Sequence, residues 1–468
     1  MICRLSWAFL SRFRAAMVIE NRRLAFICYQ PISIWPLVTF RVVFGLMMLV
    51  STVRFLWLGW VEDHYLSTQV QFKYYGFEWV QTLPSFWLYT LHYLMLAAAM
   101  GILLGAFYRL SAVVFFLTFT YVQLIDLTYY LNHYYFVSWV ALLLIFVPAH
   151  AQASVDTWRG RVEVCEQVPA WSINIIKFQI AVVYIYAGLA KINYDWLVLA
   201  LPLKIWLPAA DKIPILGPLF KMPIMPYLFS WAGMLYDTFI VFFLMYRPTR
   251  IVAYGAVLAF HIVVGILFQI GVFPLVMIGA TLIFFSDEWH LRLWTRLRVL
   301  SSQSPIHHSS FITARAAPSS FNTIYLSIYL IFQLLFPWRY LLYDGNVFWT
   351  EEGYRFSWRV MLMEKAGTAT FYVKDRQTGR EGVVNNGDFL NTHQEKQMAM
   401  QPDMILQYAH FLKEYYQKKG VHSPAVRAEV YVTLNARPSR LLIDPAVDLT
   451  QIQDSWQPKK WIRQYDDF

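Results

Sequence analysis

Charge is scarce in this chain. Only 15% of its 468 residues are Asp, Glu, Lys or Arg, against about 25% in a soluble globular protein. Cysteine is nearly absent: Cys3, Cys28 and Cys165 are the only three, and none lies in the polar C-terminal part. That excludes a disulfide framework and a cysteine metal site. No Asn-x-Ser/Thr acceptor occurs, so nothing marks the chain for glycosylation. There is no H-E-x-x-H, C-x-x-C or H-x-H spacing, no Gly-rich phosphate loop and no G-x-S-x-G. No metal is therefore expected, and neither nucleotide nor serine-hydrolase chemistry is signalled. Residues 1–35 carry Arg4, Arg12, Arg14, Arg22 and Arg23 but no clean apolar core or small-residue cleavage site. They read as a basic, cytoplasm-facing surface segment, not a removed signal peptide.

Apolar residues are what the chain has in excess, with 58% hydrophobic and 18% aromatic. About nine runs approach the length that a bilayer requires. They cover 36–61, 87–107, 110–125, 134–148, 173–190, 227–246, 251–270, 272–285 and 321–343, and the third, fourth and eighth are short. The segment 197–207 is apolar but too short to span, and is expected to dip into the membrane. With the N-terminus inside, alternate loops hold Arg109, then Arg159 and Arg161, then Arg247 and Arg250, then Arg292, Arg296, Arg298 and Arg315. The opposite loops hold few basic residues, except for Lys191, Lys204, Lys212 and Lys221 in the third. This positive-inside bias accounts for the net charge of +10 without nucleic acid. An odd span count places residues 344–468 outside the cytoplasm.

Those residues read as a small α+β domain. Residues 368–374 favour a strand, 375–379 a turn, and a second short strand runs to Val384. Residues 404–418 have helical spacing ended by Gly420, and 428–434 with 441–443 form a hairpin around the turn 435–439. The expected architecture is thus a multi-pass α-helical membrane domain over 36–343 with a C-terminal extracytoplasmic α+β domain over 344–468.

Ionisable groups within apolar runs are costly and suggest function. Lys191 ends the run Ile180–Ala190. Burial lowers a lysine's pKa and makes it a usable base; the alternative is a lysine that snorkels at a helix end. Asn132 and His133 close a short outer loop that Asp126 opens. Histidine exchanges protons near neutral pH, while the bland reading is an interfacial loop that satisfies its own backbone beside an aromatic belt. His261 and Asp237 lie inside spans, as do Arg41 and Arg54. An Arg41–Asp237 or Asp237–His261 pairing is open from sequence, and the bland reading of His261 is a bond that fixes helix packing.

Taken in order, these residues resemble the vitamin K-dependent gamma-glutamyl carboxylase family and its bacterial homologues. The resemblance runs through Phe40-Arg41-Val42-Val43-Phe44-Gly45, Asp126-Leu127-Thr128 with Asn132-His133, Ser154-Val155-Asp156, and Tyr186-Ala187-Gly188-Leu189-Ala190-Lys191 with Asp195-Trp196. It continues through His261, Gly271 and Phe273, then Phe356-Ser357-Trp358, Thr378-Gly379, Gln407-Tyr408-Ala409, Asn435-Ala436-Arg437 and Asp444-Pro445. The resemblance implies an enzyme that oxidises vitamin K hydroquinone with O2 to the epoxide. The base so formed takes a glutamate γ-proton, and CO2 is added. It implies Lys191 as the base towards the hydroquinone, His133 with Asn132 in the carboxylation half, and His261 in support. The implied partners are a glutamate-containing peptide or protein, membrane lipid and the quinol; the implied cofactor is reduced vitamin K, with O2 and CO2 as co-substrates. A bacterial inner membrane is the expected location. The family's cysteine pair has no counterpart, and the further β-rich segment of the animal enzymes does not follow before Phe468. A quinol epoxidase without carboxylation, or a non-enzymatic quinone- or lipid-binding or transport membrane protein, are the alternatives.

Overall fold

The computed structural model describes residues 28–214, 217–268, 270–297 and 320–465. The expected basic surface segment falls largely outside them. Seven described helices are long and apolar enough to cross a membrane. They include α1 (Trp35–Trp57), α2 (Ser85–Leu104), α3 (Tyr108–Ile125), α5 (Trp171–Ala190), α6 (Met225–Met245) and α7 (Arg250–Leu267). The seventh is Ile324–Leu342, in which α10 (Ser320–Leu335) continues as a tighter 3-10 turn. Two shorter apolar helices, α4 (Asn132–Phe146) and α8 (Phe273–Ala280), occupy the fourth and eighth expected runs. The third run, expected to be short, is 18 residues long because Tyr108 and Arg109 join the helix. The amphipathic α9 (Asp287–Arg296) follows α8. Two strands of three residues, β1 (Pro31–Ser33) and β2 (Gln167–Pro169), pair antiparallel and tie the start of α1 to the start of α5. They are too short to leave a periodic trace in sequence.

The C-terminal region is built on four antiparallel strands in the order β4-β3-β5-β6. β3 (Lys365–Asp375) pairs with β5 (Pro424–Leu434) along its whole length, from Lys365↔Leu434 to Asp375↔Pro424. β4 (Glu381–Val383) and β6 (Arg440–Leu441) are short edges. β5 alternates buried and half-buried residues, the period-2 signature of a strand with one face on a core. The helix α11 (Thr392–Met398) was not anticipated; α12 (Pro402–Lys418) was, and its apolar face packs on β5. Asn435 and Ala436 turn the chain after β5 with φ of 51° and 60°. Asn tolerates that left-handed region better than most residues, and Ala does not.

Two apolar cores result. One lies among the membrane helices. The other belongs to the C-terminal domain but also takes in Val70, Phe72, Leu127, Trp196, Leu203 and Leu207 from loops of the membrane domain. Leu203 and Leu207, on the short helix Leu203–Ala209, are buried in the outer core.

Candidate active site

Lys191 caps the C-terminus of α5 and is 6% exposed. Its Nζ donates to Asp237 Oδ2 of α6 at 2.7 Å and to the Ala187 carbonyl at 3.2 Å. Asp237 is equally buried. A glycine makes the pair possible. A Cβ on Gly188 would stand 2.6 Å from the backbone nitrogen of Thr238, so α5 and α6 approach more closely here than any side chain allows. Gly188→Ala is expected to force the helices apart at a cost of about 1–3 kcal/mol, and to lower the unfolding temperature in detergent. An unchanged unfolding temperature would show that the helices adjust without loss.

Lys191 and Asp237 face a small cavity of about 90 Å³ that Tyr184, Trp196, His261 and Phe273 also line. His261 Nε2 lies 2.9 Å from the Tyr184 hydroxyl, and its Nδ1 has no hydrogen-bond partner among the described residues. The Lys191 Nζ also stands 5.4 Å from the centre of the Trp196 ring, a cation–π distance.

A second, much larger cavity of about 1320 Å³ opens towards the C-terminal domain and is lined by Asn132 and His133. Both residues begin α4. Asn132 Nδ2 donates to the Arg359 carbonyl at 2.9 Å, and its Oδ1 accepts from the Tyr130 hydroxyl at 3.1 Å. The cavity wall carries four basic side chains, Arg54, Arg355, Arg359 and Lys365, against the acids Asp63 and Glu351. Lys365 pairs with Glu351 at 2.8 Å, and burial lowers its pKa despite that partner. His64, Tyr129 and His393 stack face to face on the same wall, with centroids 4.0 and 4.8 Å apart. Burial, and then the neighbouring His393, hold the His64 imidazole down at about 4, so it stays neutral at physiological pH.

The two cavities share Ile270, Phe273, Val360 and Met361. Phe273 is the centre of this partition. Its ring centroid lies 5.7 Å from that of His133 and 5.9 Å from that of His261. The Lys191 pocket and the His133 pocket are thus two rooms with a common wall.

Carboxylates lock the C-terminal domain over this site. Asp195, four residues after Lys191, accepts from Arg437 at 2.5 and 2.7 Å and from Asn435 at 2.7 Å. Burial alone would raise its pKa, but these bonds outweigh it and leave the carboxyl below its ordinary value. Asp126 accepts from Thr128 and from Gln394 of α11, the latter at 2.8 Å. Here burial prevails and pushes the carboxyl up.

Comparison with known families agrees with this two-part construction. Residues 29–289 match the HTTM domain, and residues 318–467 match the lumenal domain of vitamin K-dependent gamma-carboxylase. The chain belongs to the vitamin K-dependent gamma-carboxylase family. No solved structure matches it.

In this family member, two of the expected site residues, Lys191 and His261, line one cavity, and Asn132 and His133 line the next. The pairings left open in the sequence are resolved otherwise. Asp237 binds Lys191, not Arg41 or His261. Arg41 instead donates to the carbonyls of Ala149, Gln152 and Ala153 at 3.0, 3.3 and 2.6 Å, where it holds the turn after α4. Lys191 is buried and paired, so the snorkelling reading is set aside. The residues that sequence reasoning missed are the partition, Tyr184, and the Arg359 and Lys365 wall. Asp237 was visible as an intramembrane acid; its partner, 46 positions away, was not. Among the described residues no group of three His, Cys, Asp or Glu side chains is placed to hold a metal ion.

Proposed function

We propose that the protein oxidises a reduced vitamin K-type quinol with O2 to the epoxide, and uses the base so generated to carboxylate a glutamate side chain with CO2. The carrying observation is the buried Lys191–Asp237 pair facing a cavity that shares a wall with that of His133. At about 90 Å³ the Lys191 cavity is below the about 300–1,000 Å³ of ordinary ligand sites, whereas the adjoining space is about 1320 Å³. A quinol therefore fits these residues if it sits across the partition. When bound, it supplies with O2 the oxidising chemistry and the strong base.

The rest falls to the chain's own residues. Lys191 can serve as a base only when neutral. The 2.7 Å contact with Asp237 Oδ2 gives the Nζ proton a place to go during the reaction. Nζ can then accept a hydroxyl proton, and Asp237 retains the one it received. Asn132 is fixed by two hydrogen bonds at the neighbouring cavity, where His133 can hold or release a proton. With Lys365 and Arg355 paired to Glu351 and Asp403, Arg54 and Arg359 of the wall suit a glutamate carboxylate arriving from water, and the apolar partition keeps water from the reacting carbon. We place the N-terminus in the cytoplasm and the C-terminal domain on the other face of a bacterial inner membrane, with the domain boundaries near residues 35 and 343.

The test supplies purified protein with reduced vitamin K, O2, labelled bicarbonate and a short glutamate peptide, beside Lys191→Ala. Epoxide and labelled peptide, both lost in the variant, are the expected result. Epoxide alone would restrict the protein to quinol oxidation. Neither product from folded protein across several quinones would refute the enzyme reading and favour quinone binding or transport.

A further inference from the structure

A third cavity lies on the face of α4 turned away from His133. Tyr135, Ser138, Trp139 and Leu142 recur at helical spacing along that face and line it. The cavity holds about 710 Å³, within the range of ligand sites, which is about 300–1,000 Å³. Its floor is apolar and lies at membrane depth, with Phe116 from α3 and Phe332 from α10. Its mouth is polar and lies against the outer domain.

The mouth holds charges of both signs. Arg355 is matched by Asp403 at 2.5 Å and Lys459 by Asp454 at 3.1 Å. Arg339 and Glu352 are different. Arg339 donates only to the backbone carbonyls of Phe336 and Arg355, and Glu352 accepts from the backbone nitrogen of Lys459 at 2.9 Å. Neither finds an oppositely charged side chain among the described ion pairs. A guanidinium is the natural partner of a phosphate, and a carboxylate is the natural partner of an N–H-bearing ammonium.

The geometry points to a bound phospholipid with a primary-amine head group: phosphate on Arg339, ammonium on Glu352, and one acyl chain between α3, α4 and α10. Lys459 also acts on Glu352, but a neutral quinol would leave the Arg339 guanidinium without an anion. A choline head lacks the N–H donors, and a glycerol head lacks the cation. The cavity shares Tyr130, Tyr134, Glu351 and Arg355 with the His133 cavity, but its test needs no turnover.

The experiment is native mass spectrometry of the delipidated full-length protein in detergent. It is titrated with phosphatidylethanolamine, phosphatidylcholine and phosphatidylglycerol of identical chains, and with menaquinone. Retention of the ethanolamine lipid at least ten-fold above the other two is expected. Arg339→Gln should lower that retention at least ten-fold at unchanged fold, and Ser138→Trp, which fills the slot, should abolish it. Should Ser138→Trp not fold, Arg339→Gln decides alone. Equal retention of the three lipids, no retention, or displacement of the lipid by menaquinone would each overturn the assignment, the last in favour of a quinone site.

Discussion

Lys191→Ala is expected to lower quinol oxidation by at least about 100-fold, the range in which a positioned general base acts. It should also destabilise the protein by about 3–5 kcal/mol, because it strands the Asp237 carboxylate in a dry environment. The double variant Lys191→Ala/Asp237→Leu removes both charges. It should recover most of the lost stability and none of the activity. Epoxide formation and thermal unfolding in detergent, measured on both variants, separate the two roles. A double variant that regains turnover would eliminate Lys191 as the base. A double variant no more stable than the single one would show that the pair does not carry the charge compensation argued for it.

Asp195→Ala is expected to cost about 1–3 kcal/mol, since it removes the charge-assisted hydrogen bonds that Arg437 and Asn435 make to this carboxylate. The two ends of this contact belong to different parts of the chain, one beside Lys191 and the other at the turn after β5. Hydrogen exchange across residues 435–443 should accelerate, and turnover should fall with it. The effect carries a pH signature. The Asp195 carboxyl sits below its ordinary value in the folded protein, and the unfolded value is about 3.9. Its contribution is therefore complete above about pH 5 and is lost as pH falls through the folded value. The stability gap between wild type and Asp195→Ala should stay constant from pH 7 to 5 and narrow only below about pH 4. A gap that already narrows between pH 7 and 5 would assign the linkage to another group.

Much of this was legible in order along the chain. Hydropathy located the apolar helices, because a bilayer demands long apolar runs whatever they pack against. The long strands of the C-terminal sheet and α12 were legible because alternation and helical spacing are local. The resemblance through Asn132-His133, Lys191 and Asn435-Ala436-Arg437 pointed to the family that the domain matches then established. Three features were not legible. Asp237 and Lys191 meet because Gly188 lets two helices close together, and a contact between distant positions leaves no local period. Leu203 and Leu207, within the apolar segment 197–207, join the core of the C-terminal domain, and apolarity alone does not say which core a segment enters. The partition of Phe273, Val360 and Met361 joins a membrane helix to a loop of the outer domain, and only the docking of the two halves creates it. The sequence by itself determined the membrane class, the apolar segments and the ionisable groups within and beside them. The tertiary structure decided which of those groups share a cavity, because burial and ion pairing depend on what lies across the gap, not along the chain.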